Sequence, residues 1–227
     1  MENPTVQNKR VIVCGGGVIG VCTAYFLAKK GASVTLIEKS SVACAASGKA
    51  GGFLALDWCD GGPVSNLART SFNLHRSLAL ELNGPQSYGY RPLNTLSISL
   101  TETTSSSSPP QQQSSSSLLP EWVNGFAKNP KPIGTTETTA QVHPKLFTRT
   151  LISSAMNNYD LKLVIGELDR VEVEGNCAKS VILKGEEEGS RAIEADSIVL
   201  ALGPWSARLP LISLLFRISG LKAHSIV

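Results

Sequence analysis

The run KRVIVC (Lys9 to Cys14) is followed at once by Gly15-x-Gly17-x-x-Gly20, and this loop opens straight into a helical pattern. A short β-branched apolar run suits a strand buried on both faces. Val18 to Lys30 carries apolar residues at Val18, Val21, Cys22, Tyr25 and Leu27, and Gly31 stands where a C-cap glycine belongs. Ser33 to Glu38 (SVTLIE) reads as a second buried strand. Strand, helix and strand within about thirty residues imply a right-handed parallel crossover. Each glycine then has its own physical task. Gly15 permits the tight turn out of the strand, and Gly17 lets a pyrophosphate approach the backbone. Gly20, with Ala24, removes bulk where the helix lies on the sheet. Backbone N–H groups around Val18 and Ile19 would face the phosphates at the favourable end of the helix dipole.

Glu38 ends the second strand about 20 residues beyond the loop, the spacing at which an acid takes a ribose hydroxyl. Such an acid also disfavours a cofactor carrying a 2′-phosphate. It does not separate FAD from NAD, which share the adenosine half. Val11 to Ala28, with Lys9 and Arg10 before it, superficially looks like a signal peptide or membrane anchor. Gly15, Gly16, Gly17 and Gly20 argue against that, since each would cost a helix about 1 kcal/mol relative to alanine. No other apolar run is long enough to span a bilayer. A protein without a membrane span, cytoplasmic in location, is therefore expected.

The bulk composition of the 227 residues, 42% apolar and 17% charged, is ordinary for a globular chain able to bury a core. Its 21 basic residues are scattered and exceed the 18 acidic ones by only three. That balance gives no reason to expect nucleic acid or an anionic membrane as partner. Five cysteines, an odd number without a C-x-x-C pair, indicate neither a disulfide framework nor a zinc site. Reduced thiols are the expectation.

Further along, Cys44 to Gly52 is rich in Gly, Ala and Ser. Val64 to Leu82 predicts an amphipathic helix with Val64, Leu67, Ala68, Ser71, Leu74, Leu78 and Leu82 on one face, ended by Asn83-Gly84-Pro85. Leu93 to Leu100 partly alternates, as an antiparallel strand does. The stretch 101–117 is low-complexity and is expected to be a disordered, solvated insertion. Pro120 to Gln141 reads as irregular, and Pro144 to Tyr159 as a helix with proline in its first turn. A three-stranded meander is expected from Leu161 to Ile165, Leu168 to Val173 and Ala178 to Leu183, with Gly175-Asn176 as its second turn. Glu186 to Gly189 is an acidic, solvated loop, and Ser197 to Leu202 a final buried strand ended by Gly203-Pro204. NAD enzymes of the doubly wound type usually continue βαβαβ. A chain that leaves after two strands and returns through a meander resembles instead the FAD-binding domain of the glutathione-reductase type, and that resemblance implies FAD.

Three segments together resemble the D-amino-acid oxidase superfamily, which includes glycine oxidase and sarcosine oxidase. They are VIVCGGGVIGVCTAYFLAKKGASVTLIEK, ASGKAGGFLA and EADSIVLALGPWSARL. LKAHSIV at the C-terminus is similar to the strand by which such chains re-enter their substrate domain. The likeness runs over most of the chain apart from the Ser/Gln insertion. It implies an α/β fold: a glutathione-reductase-type FAD-binding Rossmann domain with β-meander, plus a partial antiparallel-sheet substrate domain. The implied division is 1–84 and 143–209 for the FAD-binding domain, 85–142 for the substrate domain with its insertion, and 210–227 for the start of the return.

By position, the resemblance implies that Gly15, Gly17, Val18, Ile19 and Gly20 cradle the pyrophosphate of FAD. Glu38 would bind the adenosine ribose with Lys39 beside it, and the loop through Ser47, Lys49, Ala50 and Gly51 would run past pyrophosphate and flavin. Lys49 would either neutralise a phosphate or stand exposed. Leu168 would meet adenine through its backbone. Ala201, Gly203 and Trp205 would flank the cofactor in the return segment, Trp205 by flavin contact or by packing. The family chemistry is hydride transfer from a carbon next to an amine to the flavin, so the implied partner is a small-molecule amine or amino acid. Family members usually continue past the point matching Val227, and the chain resembles a C-terminally truncated member in which the adenosine half of the site is the more complete. No catalytic residue and no oligomeric state follow from the sequence; His75, His143 and His224 are isolated. The alternative is a non-catalytic flavin-fold binding or regulatory protein.

Overall fold

The computed structural model describes residues 8–100, 119–123, 127–185 and 191–223. The low-complexity insertion, the acidic loop and His224 lie outside them. In chain order the strands and helices begin β1 (Arg10–Cys14), α1 (Val18–Lys29), β2 (Ser33–Glu38) and β3 (Phe53–Ala55). Then follow α2 (Ser65–Glu81), α3 (Gly84–Tyr88), β4 (Arg91–Pro92), β5 (Thr95–Leu100), β6 (Ala127–Gly134) and β7 (Thr139–Gln141). The chain continues with α4 (Pro144–Tyr159), β8 (Lys162–Ile165), β9 (Leu168–Glu174), β10 (Cys177–Leu183), β11 (Arg191–Glu194), β12 (Ser197–Leu200) and α5 (Pro210–Ser213). Short 3₁₀ segments occupy Ala46–Gly48 and Gly203–Arg208. The chain divides into two compact units, one of residues 1–52, 81–89 and 143–227, the other of 53–80 and 90–142.

The first unit contains a parallel sheet in the order β12-β1-β2-β8. β1 and β2 pair as the crossover requires, Arg10 opposite Ser33 and Cys14 opposite Ile37. Side chains alternate across this sheet. Ile12, Cys14 and Ile37 form a buried cluster with Val181, Leu183 and Ala195, so β10 of the meander covers that face. Helix α1 packs against β1, β2 and α4. It buries Gly20, Val21, Ala24, Tyr25 and Ala28, while α4 buries Phe147, Leu151, Ile152 and Ala155. The rings of Tyr25 and Tyr159 meet edge-on at 5.8 Å. α1 ends at the glycine that its sequence predicts, Gly31 at φ +89, and α4 ends at Asp160 in the left-handed region.

One strand expected in the meander belongs to the parallel sheet. β8 pairs in parallel with β2, Leu163 opposite Leu36, and is delivered by α4. The antiparallel sheet is instead β11-β10-β9, with Gly175-Asn176 turning β9 into β10 as expected. β11 was not anticipated, because RAIE has only two apolar residues and owes its strand to pairing with β10. LKA, the described part of the C-terminal segment, forms no strand.

The second unit holds a three-stranded sheet, β3-β7-β4, and a two-stranded sheet, β5-β6. The stretch expected to be irregular thus supplies β6 and β7. Pro130 and Pro132 lie within β6, which proline tolerates because a two-stranded ribbon leaves every strand with an unpaired edge. α2 matches its predicted span and buries Leu78 of the predicted face, but the buried face is turned toward Phe72 and Ala79, while Val64, Leu67 and Leu74 are exposed. The buried face begins one residue, about 100°, round from Ser71.

Candidate cofactor site

The site is built where β1 and β2 end. Gly15 leaves β1 at φ +116 and donates its N–H to the Ile37 carbonyl at 2.8 Å. β12 continues alongside, with the Ala201 N–H on the Cys14 carbonyl at 2.8 Å. A Cβ at Gly15 would lie 2.3 Å from the Ala201 oxygen, so no side chain can be accommodated there. A Cβ at Gly20 would lie 1.9 Å from the Gly15 oxygen and 3.3 Å from the Ala201 Cβ. The first turn of α1 therefore rests directly on the loop, which is why two of the three fingerprint positions demand glycine.

Glu38 is fastened to this loop. Its Oε2 accepts the Gly16 N–H at 2.7 Å, and its Oε1 accepts the Ser40 N–H at 3.0 Å. Each carboxylate oxygen has a second lone pair, so the group can still accept from a hydroxyl. The thiol of Cys44 also lies at this carboxylate, with Sγ 4.0 Å from Oε1. Lys39 does not reach for the loop. Its ammonium pairs with Glu167 at 3.1 Å, and Glu167 also takes Lys184 at 2.9 Å. The two ammonium groups, Lys184 more than Lys39, hold the Glu167 carboxyl below the usual carboxylate range. Gly166 donates its N–H to the Glu38 carbonyl at 2.9 Å, and Leu168 packs against the Ile12–Cys14 cluster. Glu38, Lys39, Glu167 and Leu168 are thereby gathered at one end of the sheet.

The N-terminus of α1 differs from the sequence expectation. Gly17 is its N-cap and has no side chain to offer, and the Val18 N–H is taken by Ser47 Oγ at 2.9 Å. Ser47 thus caps a helix 29 positions earlier in the chain. Since its oxygen accepts from Val18, its own O–H is left to donate outward. Ser47 belongs to the 3₁₀ turn, which is held close by small side chains: a Cβ at Gly48 would lie 1.9 Å from the Ala43 oxygen, and Ala43 donates its N–H to the Gly16 carbonyl at 3.0 Å.

Gly15, Gly17, Val18, Gly20, Glu38, Ser47 and Ala201 are brought together in this way. Ile19 is 69% exposed on the first turn of α1. Lys49, Ala50, Gly51, Gly203 and Trp205 lie at the surface, and Lys49 has no ion pair among the described residues. Gly203 takes φ +57 where the chain turns out of the sheet. Sequence reasoning missed Gly16 and Glu167 as partners of the predicted acid and its lysine. Gly16 carried no signal of its own in a run of three glycines. Glu167 could have been suspected as a charge immediately before an expected adenine-contacting strand. His143 accepts the Leu146 N–H at 3.4 Å and serves as the N-cap of α4. Burial lowers the pKa of His75. No cluster of metal-ligating side chains occurs among the described residues.

The family of FAD dependent oxidoreductases known as DAO matches residues 10–227. The chain belongs to that family. Its cofactor is therefore FAD, and the resemblance to the D-amino-acid oxidase superfamily is borne out. A Schizosaccharomyces pombe protein described as a candidate oxidoreductase is 33% identical, covering 97% of this chain and 60% of its own length. Glycine oxidase from Geobacillus kaustophilus superposes with a TM-score of 0.68 at 23% identity, over 92% of this chain and 60% of its own. Glycine oxidase from Bacillus cereus gives 0.66 at 22%, over 89% and 57%. These likenesses show the FAD-binding α/β fold of this DAO member, which spans about three-fifths of the length of such relatives. No described helix is long and apolar enough to cross a membrane.

Proposed function

We propose that this DAO-family chain holds FAD across the carboxyl ends of β1 and β2 and oxidises an amine or amino acid. The observation that carries the reading is the convergence of the Gly15–Gly20 loop, Glu38 and the Ser47 hydroxyl at the start of α1. Open parallel sheets bind ligands at the carboxyl ends of their strands, and this site has the donor and acceptor types a dinucleotide needs. Glu38 would accept from ribose hydroxyls, and the Ser47 O–H with the amides of the α1 turn would meet the pyrophosphate. Gly17 keeps the approach to those amides clear; a Cβ there would stand 3.2 Å from Ser47 Oγ. Lys39, Lys49, Ala50, Gly51, Leu168, Ala201, Gly203 and Trp205 complete the proposed lining. Bound FAD would supply a two-electron acceptor for the carbon next to the substrate nitrogen. The chain's own part is to orient that cofactor and shield its dinucleotide. We place the protein in the cytoplasm, without nucleic acid as partner.

The test is direct. Purified chain, reconstituted with FAD, is expected to be yellow and to bleach anaerobically with an amine or amino-acid substrate. Colourless protein that takes up no FAD would overturn the reading. Yellow protein left unbleached across amines and amino acids would turn it toward the non-catalytic alternative.

A further inference from the structure

One face of the β3-β7-β4 sheet carries a row of side chains that the proposed cofactor site does not use. Phe53, Gln141 and Arg91 are direct cross-strand partners. Directly paired residues of antiparallel strands project to the same face, so aromatic ring, amide and guanidinium stand side by side. The opposite face carries Leu54, Ala140 and Pro92, of which Ala140 is fully buried. Arg91 Nη2 donates to Gln141 Oε1. Phe53 stacks on Trp58, with ring centroids 5.0 Å apart and planes inclined by 21°. The indole N–H of Trp58 is committed to the Ile133 carbonyl at 2.9 Å, which fixes the ring.

Two features of this row call for a ligand. Phe53 and Trp58 are 41% and 51% exposed although stacked, an apolar surface held open to water in an ordered orientation. Arg91 has no carboxylate partner among the described residues, as is also true of Arg149, Arg191, Arg208 and Arg217, but it alone of these stands on the same sheet face as an exposed aromatic stack. Its one side-chain bond among the described residues goes to a neutral amide, which orients the guanidinium and leaves its other N–H groups able to donate. Arg91 and Phe53 are two strand spacings apart, about 10 Å between backbones. The gap between the two side-chain ends is then on the scale of one small molecule with a carboxylate at one end and an apolar group at the other.

We propose that this row recognises an amino acid with a large apolar or aromatic side chain. Arg91 takes the carboxylate, Gln141 holds the guanidinium in place, and the Phe53–Trp58 stack receives the side chain. Guanidinium and carboxylate match geometrically in paired, charge-assisted hydrogen bonds, which gives this end its selectivity. The aromatic end selects against glycine and other small substrates, which would leave the stack uncovered. The proposal rests on the amino-acid reading of the preceding subsection and narrows its substrate class.

Phenylacetate is a suitable probe, titrated into the full chain while the Trp58 indole N–H resonance, assigned with Trp58→Phe, is followed by NMR. Saturable movement of that resonance is expected, with acetate and benzylamine each weaker by roughly tenfold or more, since each lacks one end of the match. Arg91→Gln should weaken phenylacetate by roughly tenfold or more, Arg91→Lys by less, and Phe53→Leu should bring phenylacetate toward acetate. Circular dichroism checks that each variant is folded, and Phe53→Leu stands in should Arg91→Gln not fold. An unmoved Trp58 resonance, or equal binding by wild type and folded variants, would overturn the proposal; so would a shift produced only by a captured protein. FAD uptake is measured separately by absorbance. Arg91-dependent phenylacetate binding without FAD uptake would sustain this row and sink the FAD reading, while FAD uptake with no phenylacetate binding would do the reverse.

Discussion

Glu38 and Ser47 perform structural work that their proposed contact with cofactor also uses. Ser47 satisfies the Val18 N–H at the start of α1, where Gly17 has no side chain to do so. Losing an N-cap hydroxyl typically costs about 0.5–2 kcal/mol. Ser47→Ala should therefore lower stability by that amount in urea denaturation without FAD, besides weakening FAD. A variant that loses FAD affinity at unchanged stability would show that the cap contributes nothing. Glu38→Ala removes both the proposed ribose acceptor and the partner of the Gly16 N–H. A loss of about 1–3 kcal/mol in FAD binding is expected by flavin titration; unchanged affinity would show that another group meets the ribose. The acid itself was legible in the sequence from its distance to the loop. Its tether to Gly16 was not, because any loop residue could have faced the carboxylate. Ser47 was placed near the phosphates only through the family likeness, and its bond to Val18 joins positions too far apart in the chain for spacing to reveal.

At the scale of elements, local pattern and tertiary context contributed differently. β1, α1, β2 and α4 were readable almost residue for residue, since their apolar periodicity and their caps agree. β6 and β11 were not, because neither has an apolar alternation and both exist through the partner they pair with. The placement of β8 turned on register, since KLVI suits a parallel strand and a meander strand equally. α2 has its expected span with only part of the expected face inward, Leu78 buried but Val64, Leu67 and Leu74 exposed. That correction can be checked by denaturation. Phe72→Ala should cost about 3–5 kcal/mol as a large buried truncation, whereas Leu67→Glu on the exposed stripe should stay within about 0.5 kcal/mol. The reverse order would restore the face that the apolar stripe suggests.

For the molecule as a whole, thiol chemistry and ligand competition each test a property that no single element carries. Burial pushes the Cys14 thiol up to about 12 and the Cys22 thiol up to about 11, from an ordinary value of 9.0. A thiol whose pKa is raised by folding favours the native state below its unfolded pKa, and that contribution is lost as pH rises through the folded value. Stability should accordingly fall from about pH 9 upward, and Cys14→Ala should flatten the fall. At pH near 8, the exposed Cys44, Cys59 and Cys177 should react with a disulfide reagent in the native protein, half-buried Cys22 more slowly, and buried Cys14 only after unfolding. The proposed cofactor site leads to the last expectation. The residues that converge there, the glycine loop, Ser47, Glu38 and the start of the meander, are those suited to pyrophosphate and ribose rather than to a flavin ring. Binding should then be carried largely by the ADP moiety, so ADP should displace FAD in a competition titration and FMN should not. A 2′-phosphate on the same ribose would meet the Glu38 carboxylate with like charge in a half-buried position, where screening is reduced. The 2′-phosphorylated form of ADP should therefore compete at least roughly tenfold less well. Glu38→Gln should narrow that gap by removing the repulsion while keeping an acceptor. Equal competition by the two nucleotides in the wild-type chain would place the ribose elsewhere.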